Sequence, residues 1–253
     1  MRNFFKLLLI ILKSILIFIT IGALSTATVK NIQKILLVNE FKNLGVLQED
    51  ISTDNVKYYK IDAPDENPSF TYAGGTIIPG YEGDILVSTE AHLVGPMIDG
   101  LITFFAGGHA AICTNDYSDY EIKLNDRTSI ESTGLNEGDN PATIFQRSYW
   151  ASEQNYHEVI GLRVKMSDSE RREVISNAAA LLGDPYNFSF LFDTVNKSYC
   201  SDLVAKAYAT IGVDLNKDDF TTSIYDLIVS SDTYISYYHY FDSDGVKHIY
   251  YFG

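Results

Sequence analysis

Lys197-Ser198-Tyr199-Cys200-Ser201-Asp202-Leu203-Val204-Ala205-Lys206-Ala207-Tyr208, running on to Ile211-Gly212, is the stretch on which the fold turns. Leu203, Val204, Ala207, Tyr208 and Ile211 follow Cys200 at three, four, seven, eight and eleven residues, the spacing of one helical face. Cys200 therefore opens a helix on its buried side. Ser198 is a candidate cap and Gly212 a candidate stop, so the sulfur falls in the first turn, under the positive end of the peptide dipoles. That position favours a thiolate, and a thiolate facing the core needs a base across from it.

Five histidines are available, and His109 is the best placed. It stands in Gly107-Gly108-His109-Ala110-Ala111-Ile112-Cys113-Thr114, a short apolar run after two glycines, which predicts a buried strand with the imidazole at its start. Taken singly, a cysteine on an apolar helix face is a small hydrophobe and a histidine at a strand start a satisfied polar group. Only the pair suggests chemistry.

At 253 residues, 46% of them hydrophobic, the chain can bury one substantial core. Residues 1–27 begin with Arg2 and Lys6 and continue through the apolar run Leu7 to Leu24, a membrane-directed pattern. Two outcomes stay open: a signal peptide cut after the small-x-small triplet Ser25-Thr26-Ala27, or an uncleaved anchor of about 20 residues. Either sends the rest of the chain out of the cytoplasm. The net charge is -14, and residues 1–27 hold three basic and no acidic side chains, so the remainder is more acidic still. Such a surface repels phosphate backbones and argues against a nucleic-acid partner. Cys113 and Cys200, the only cysteines, could pair in an oxidising compartment, or Cys113 could stay a free thiol on its strand.

Residues 28–79 divide into an amphipathic helix from Val29 to Leu44, with Lys30, Lys34 and Lys42, and a linker broken by prolines. The lysines suit lipid headgroups, a stalk, or a helix docked on the domain. The domain proper is expected over 80–230. Its strands are Gly83 to Ser88, the His109 run, Ile122 to Leu124, Thr128 to Thr133 and His157 to Lys165, with a short helix from Leu93 to Phe105. Ser167-Asp168-Ser169-Glu170 has the spacing of a capping box and starts a helix that Gly183-Asp184-Pro185 ends. Residues 231–253 predict a β-hairpin, Tyr234 to Phe241 against Val246 to Phe252 around a two-residue Asp244-Gly245 turn. That register sets Phe241 opposite His248 and His239 opposite Tyr250, leaving no histidine pair for a metal.

Five short motifs, Gly83-Asp84-Ile85-Leu86, Gly108-His109-Ala110-Ala111-Ile112, Ile130-Glu131-Ser132, Gly183-Asp184-Pro185-Tyr186-Asn187-Phe188 and Tyr199-Cys200-Ser201-Asp202-Leu203-Val204, occur in that order. Together they resemble the circularly permuted papain-like cysteine hydrolases of the NlpC type, in particular their YiiX/YycO-like relatives. The resemblance implies an α+β permuted papain-like fold, an antiparallel sheet or small barrel packed on helices, here with an N-terminal membrane segment and a C-terminal hairpin. It implies Cys200 as nucleophile, His109 as base and Glu131 as the group orienting the imidazole, with Tyr199 beside the pocket. The backbone N–H of Cys200 suits an oxyanion, because first-turn N–H groups lack intrahelical partners. An extracytoplasmic amidase acting on a cell-wall peptide or related small peptide is the first expectation. The same three residues in a lipid or acyl-chain hydrolase or transferase, and an inactive membrane-tethered binding protein, are its rivals. Cysteine acyl chemistry calls for no cofactor and no metal.

Overall fold

Alternation along Ile85 to Ser88 sends Ile85 and Val87 to one side of a sheet and Leu86 to the other, and the same rule divides Ala110 and Ile112 from Ala111 and Cys113. Both faces of these strands are buried. The computed structural model describes residues 13–14, 28–64, 68–70, 72, 75–90, 103, 106–115, 127–133, 142–190, 196–217 and 221–253. Its strands are β1 (Val46–Leu47), β2 (Val56–Ile61), β3 (Ile85–Ser88), β4 (His109–Asn115), β5 (Arg127–Glu131), β6 (Thr143–Gln146), β7 (Glu158–Val164), β8 (Thr233–Phe241) and β9 (Lys247–Phe252). They form one nine-stranded sheet in the order β1-β2-β9-β8-β7-β3-β4-β5-β6. Every neighbouring pair is antiparallel except β2 with β9, which run parallel. The mixed α+β class and the largely antiparallel sheet agree with expectation, and the parallel pair is new.

The helices are α1 (28–43), α2 (Asp168–Ala180), α3 (Cys200–Ala209) and α4 (Ile224–Val229), with a 3-10 turn at Arg147–Ala151. On one face of the sheet, Leu203, Val204, Ala207 and Tyr208 of α3 join Ile85, Val87, Ala110, Ile112 and Ile130 in the main core. Each of the leucine, valine and isoleucine side chains contributes about 1.5–3 kcal/mol by leaving water. A second cluster, Leu86, Ala111, Cys113, Trp150, Tyr156 and Val159, fills the other face. The Ser167 capping box forms as its spacing predicts: the side chain accepts from Glu170 N–H, while Ser167 N–H donates to Glu170 Oε2 at 2.7 Å.

Ser198 does not cap α3. Tyr199 is the N-cap and gives no side-chain cap bond, because Ser198 is drawn into a parallel bridge with Tyr186. The helix ends at Ala209, and Gly212 turns the chain two residues past the cap with φ +81°. The hairpin exists, but its register is shifted by one from the expected pairing: Phe241 faces Lys247, Tyr240 faces His248 and His239 faces Ile249. The turn holds three residues, Ser243, Asp244 and Gly245, with Gly245 at φ +76° after a turn closed by its N–H on the Asp242 carbonyl. Asp242 Oδ1 also accepts from the N–H groups of Asp244 and Val246, both at 2.9 Å, so a side chain selects the longer loop.

Residues 46–79, expected as linker, contribute β1 and β2 to the common sheet. The order Lys57-Tyr58-Tyr59-Lys60 in Val56-Lys57-Tyr58-Tyr59-Lys60-Ile61 breaks the polar–apolar alternation and masks the strand period. The helix α1 lies docked on the domain. Lys30 pairs with Asp226, Lys34 with Glu158 at 2.5 Å, and the Lys42 amine sits 4.3 Å above the Tyr240 ring, while Val38 and Phe41 are buried. Its outer side leaves Val29, Ile32, Ile35 and Leu36 exposed. The expected membrane segment (except Lys13 and Ser14), the Leu93 to Phe105 helix (except Thr103) and the Ile122 to Leu124 strand lie outside the described residues. Among the described residues no helix is long and apolar enough to cross a membrane.

Candidate active site

Two loops and a strand fix the start of α3. The Ser198 N–H donates to the Pro185 carbonyl (3.3 Å), and the Ser198 carbonyl accepts from Asn187 N–H (3.2 Å) and from Ser132 Oγ (2.7 Å). The Thr222 N–H donates to the Tyr199 hydroxyl (2.8 Å), and Ser201 Oγ donates to the Thr222 carbonyl (2.8 Å). Cys200, the first residue of the helix, is thereby held with no exposed surface. Opposite it the chain enters β4 through Gly108, which has φ +147° and whose Cβ would lie 2.0 Å from the Ser88 carbonyl oxygen. Only glycine fits there. The Cys200 thiol donates to the Gly108 carbonyl at 3.6 Å, next to His109.

His109 and Glu131 are also without exposed surface, and His109 Nε2 lies 2.9 Å from Glu131 Oε2. With Nε2 carrying the hydrogen for the carboxylate, Nδ1 is left as the proton acceptor. That atom is buried, and Cys200 is the neighbour available to it. Burial lowers the proton affinity of the imidazole. The hydrogen bonds and charges of Cys200 and Glu131 outweigh it, and the ring is pushed up to about 9. The other oxygen of Glu131, Oε1, accepts from Trp150 Nε1 (2.6 Å) and Ser129 Oγ (2.5 Å). Trp150 stacks on the His109 ring with centroids 5.3 Å apart and planes 11° from parallel.

The structure thus brings Cys200, His109 and Glu131 together. It turns the Tyr199 hydroxyl to Thr222, and Tyr199 is buried as a wall behind the helix start. Sequence reasoning missed Tyr186. Its hydroxyl is buried without a hydrogen-bond partner, and burial together with the neighbouring Cys200 raises its ionisation well above the ordinary range, so the phenol keeps its proton. The bridge between Tyr186 and Ser198 puts it there, two residues before the nucleophile position. Its place in the Gly183 to Phe188 motif was the one available signal. Cys113 and Cys200 are both free, and burial pushes the Cys113 thiol up to about 12. Among the described residues no group of three or more His, Cys, Asp or Glu is placed to hold a metal ion.

A thiol at a helix start, an imidazole with one nitrogen on a carboxylate, and a spare phenol beside the sulfur are the parts of a thiol acyl-transfer centre. A family model for permuted papain-like amidases of the YaeF/YiiX, C92 family matches residues 81–233, more than half of the chain. A solved structure, described as metalloprotein yiiX from Escherichia coli O157:H7, is 19% identical over 55% of this chain and 69% of that one, with a TM-score of 0.41. No curated protein matches.

Proposed function

We propose a function from one premise: this chain belongs to the permuted papain-like amidase family, a family of papain-like cysteine hydrolases. The buried Cys200–His109–Glu131 arrangement, with His109 fixed on Glu131 at 2.9 Å, is the observation that supports assigning the chemistry to those three residues. The proton that His109 holds at neutral pH, its ring being raised to about 9, is the one drawn from the Cys200 sulfur, and that sulfur attacks the carbonyl carbon of an amide, whose C=O electron pair moves to oxygen. The N–H of Cys200, free at the first helical position, and the hydroxyl of Tyr186 are the two donors for that oxygen. Each such donor supplies about 3 kcal/mol to the transition state.

The oxyanion then collapses, the C–N bond breaks, and Nδ1 hands its proton to the departing amine. A thioester on Cys200 remains. Water, deprotonated by the same nitrogen, attacks it, and the carboxylic acid and the thiol are released. Glu131 holds the ring in the tautomer that this needs and steadies its positive charge, without itself taking the proton.

The substrate we propose is an amide in a cell-wall peptide or a related small peptide, met outside the cytoplasm. The basic flank and apolar run of residues 1–24 support export, and the exposed Val29, Ile32 and Leu36 carry the apolar character on toward the domain. One observation favours a second substrate class, acyl lipids: Phe188 stands 47% exposed against Tyr186, with ring centroids 4.6 Å apart, as an apolar platform beside the sulfur.

The test exposes the full chain separately to muropeptides and to acyl esters, with mass spectrometry of the Cys200 peptide. A peptidyl thioester supports the first reading and a fatty-acyl thioester the second. Full turnover by Cys200→Ala would sink both.

A further inference from the structure

Trp150 touches two members of the catalytic group at once. Its indole N–H donates to Glu131 Oε1 at 2.6 Å, and its ring lies against the His109 imidazole, 11° from parallel. Tyr156 also stacks on the indole, at 4.5 Å and 20°, and lies 6.4 Å and 10° from His109, so the three rings form one near-parallel cluster. None of the three has more than a trace of exposed surface. The 3-10 turn that carries Trp150 is itself anchored. Arg147, at its first position, donates to the Gly80 carbonyl at 2.7 Å and to the Thr114 carbonyl at 3.3 Å.

A carboxylate on a flexible stem has two equivalent oxygens and can offer either to a partner. At Glu131 the choice is made by the rest of the site: Oε1 is taken by Trp150 and by Ser129 Oγ, leaving Oε2 for His109 Nε2. An indole N–H is a donor only and has no proton to lose at working pH, so it fixes the carboxylate without competing in the transfer. We propose that Trp150 is the positioning residue of this active site, acting through Glu131 and the imidazole plane, with Ser129 as its lesser partner. This rests on the triad reading above. Trp150 touches neither the substrate carbonyl nor the sulfur; it holds the group that holds the base, within the roughly 0.5 Å that such a constellation tolerates.

The groups that act on His109 are Cys200 from α3 and Glu131 from β5. Loosening Glu131 should therefore move the imidazole's titration down, and a loss of packing alone should not. Trp150 is the only tryptophan, so its indole N–H gives one unmistakable nuclear magnetic resonance signal. The experiment follows that signal, and the pH profile of Cys200 alkylation by iodoacetamide, in the full chain and in Trp150→Phe, Ser129→Ala, Glu131→Gln and Trp150→Phe/Glu131→Gln.

The wild-type indole proton is expected downfield of the ordinary indole range and to return to it in Glu131→Gln. Trp150→Phe keeps an aromatic layer and removes the donor. It should slow alkylation at neutral pH about tenfold and move the alkaline inflection down by about one pH unit, in the direction of Glu131→Gln. The double variant should add nothing further. Ser129→Ala should move the inflection the same way by less, which keeps the test decisive if Trp150→Phe does not fold. An unmoved inflection in both single variants, or full additivity in the double, overturns the positioning role. A wild-type Cys200 no faster than a free thiol at neutral pH would instead sink the triad reading itself.

Discussion

His109 and His239 are both fully buried on inner strands of one sheet, and their imidazoles are driven in opposite directions. His239 is lowered well below its ordinary value, by burial first and then by the nearby Lys247. Its Nδ1 meets the Tyr237 hydroxyl at 3.0 Å, and a contact with the Tyr156 backbone opposes the shift without reversing it. His109 suffers the same burial and is raised to about 9, because Cys200 and Glu131 stand against it. Burial by itself makes an imidazole neutral; an acidic partner on each nitrogen makes it a base that keeps its proton when given one. The comparison separates a histidine that only packs from one set up for proton transfer, using their neighbours alone.

The sharpest way to break the comparison is to exchange each ring for an apolar side chain. His109→Ala should lower amide turnover on the order of a thousandfold, whereas His239→Leu should leave kcat/KM within about twofold. Similar losses from both would erase the distinction. Next in size is Glu131→Gln. Turnover in the wild type should fall as pH rises through about 9, where His109 loses the proton meant for the leaving amine. In the variant the rate should drop about a hundredfold and that alkaline limb should shift downward, as rates across pH 6–10 would reveal.

The two histidines should also tilt stability on opposite sides of neutrality. The folded value of His109 lies above the ordinary 6.5, so its contribution is complete below about 6.5 and is lost as pH rises through about 9. The folded value of His239 is depressed, so its contribution is complete above about 6.5 and is lost as pH falls. Melting temperatures against pH should flatten on the alkaline side in His109→Ala and on the acid side in His239→Leu. A parallel contrast holds for the cysteines: iodoacetamide should label Cys200 in the folded protein, and Cys113, whose thiol burial pushes up to about 12, only on unfolding. The smallest effect belongs to Lys42→Ala, which removes the amine from above Tyr240 and should cost about 0.5–1 kcal/mol with no change in turnover.

Much of the fold was legible in the sequence because it is written in local period. The α3 face, the β3 and β4 alternation and the Ser167 box each need only a dozen residues to declare themselves. Two features resisted for physical reasons. The hairpin register hung on the Asp242 side chain closing a three-residue turn, and β2 hid its period because two adjacent tyrosines sit between its two lysines. Within the site, Cys200 and His109 could be picked from their own surroundings. Glu131 stood out as a carboxylate inside a strand, but its role came only through the ordered motifs of the resemblance. Trp150 was invisible and Tyr186 showed only as a member of its motif, since neither sits at a helical or strand spacing from Cys200, His109 or Glu131. The 3-10 turn and the bridge to Ser198 bring them in, and those contacts exist only once the chain has folded.

The parallel union of β2 with β9 has a consequence for how the chain comes into being. Strand β2 waits for a partner that is made almost two hundred residues later, pairing Val56 with Lys247 and Ile61 with Phe252. During synthesis the imidazole and its carboxylate appear first, the sulfur much later, and the closing strand last of all. A nascent polypeptide interrupted before Cys200 holds a base with nothing to activate, and one interrupted before Lys247 keeps raw edges on both β2 and β8. Cutting power therefore waits for Cys200, and β2 gains its partner only once Lys247 to Phe252 has been made.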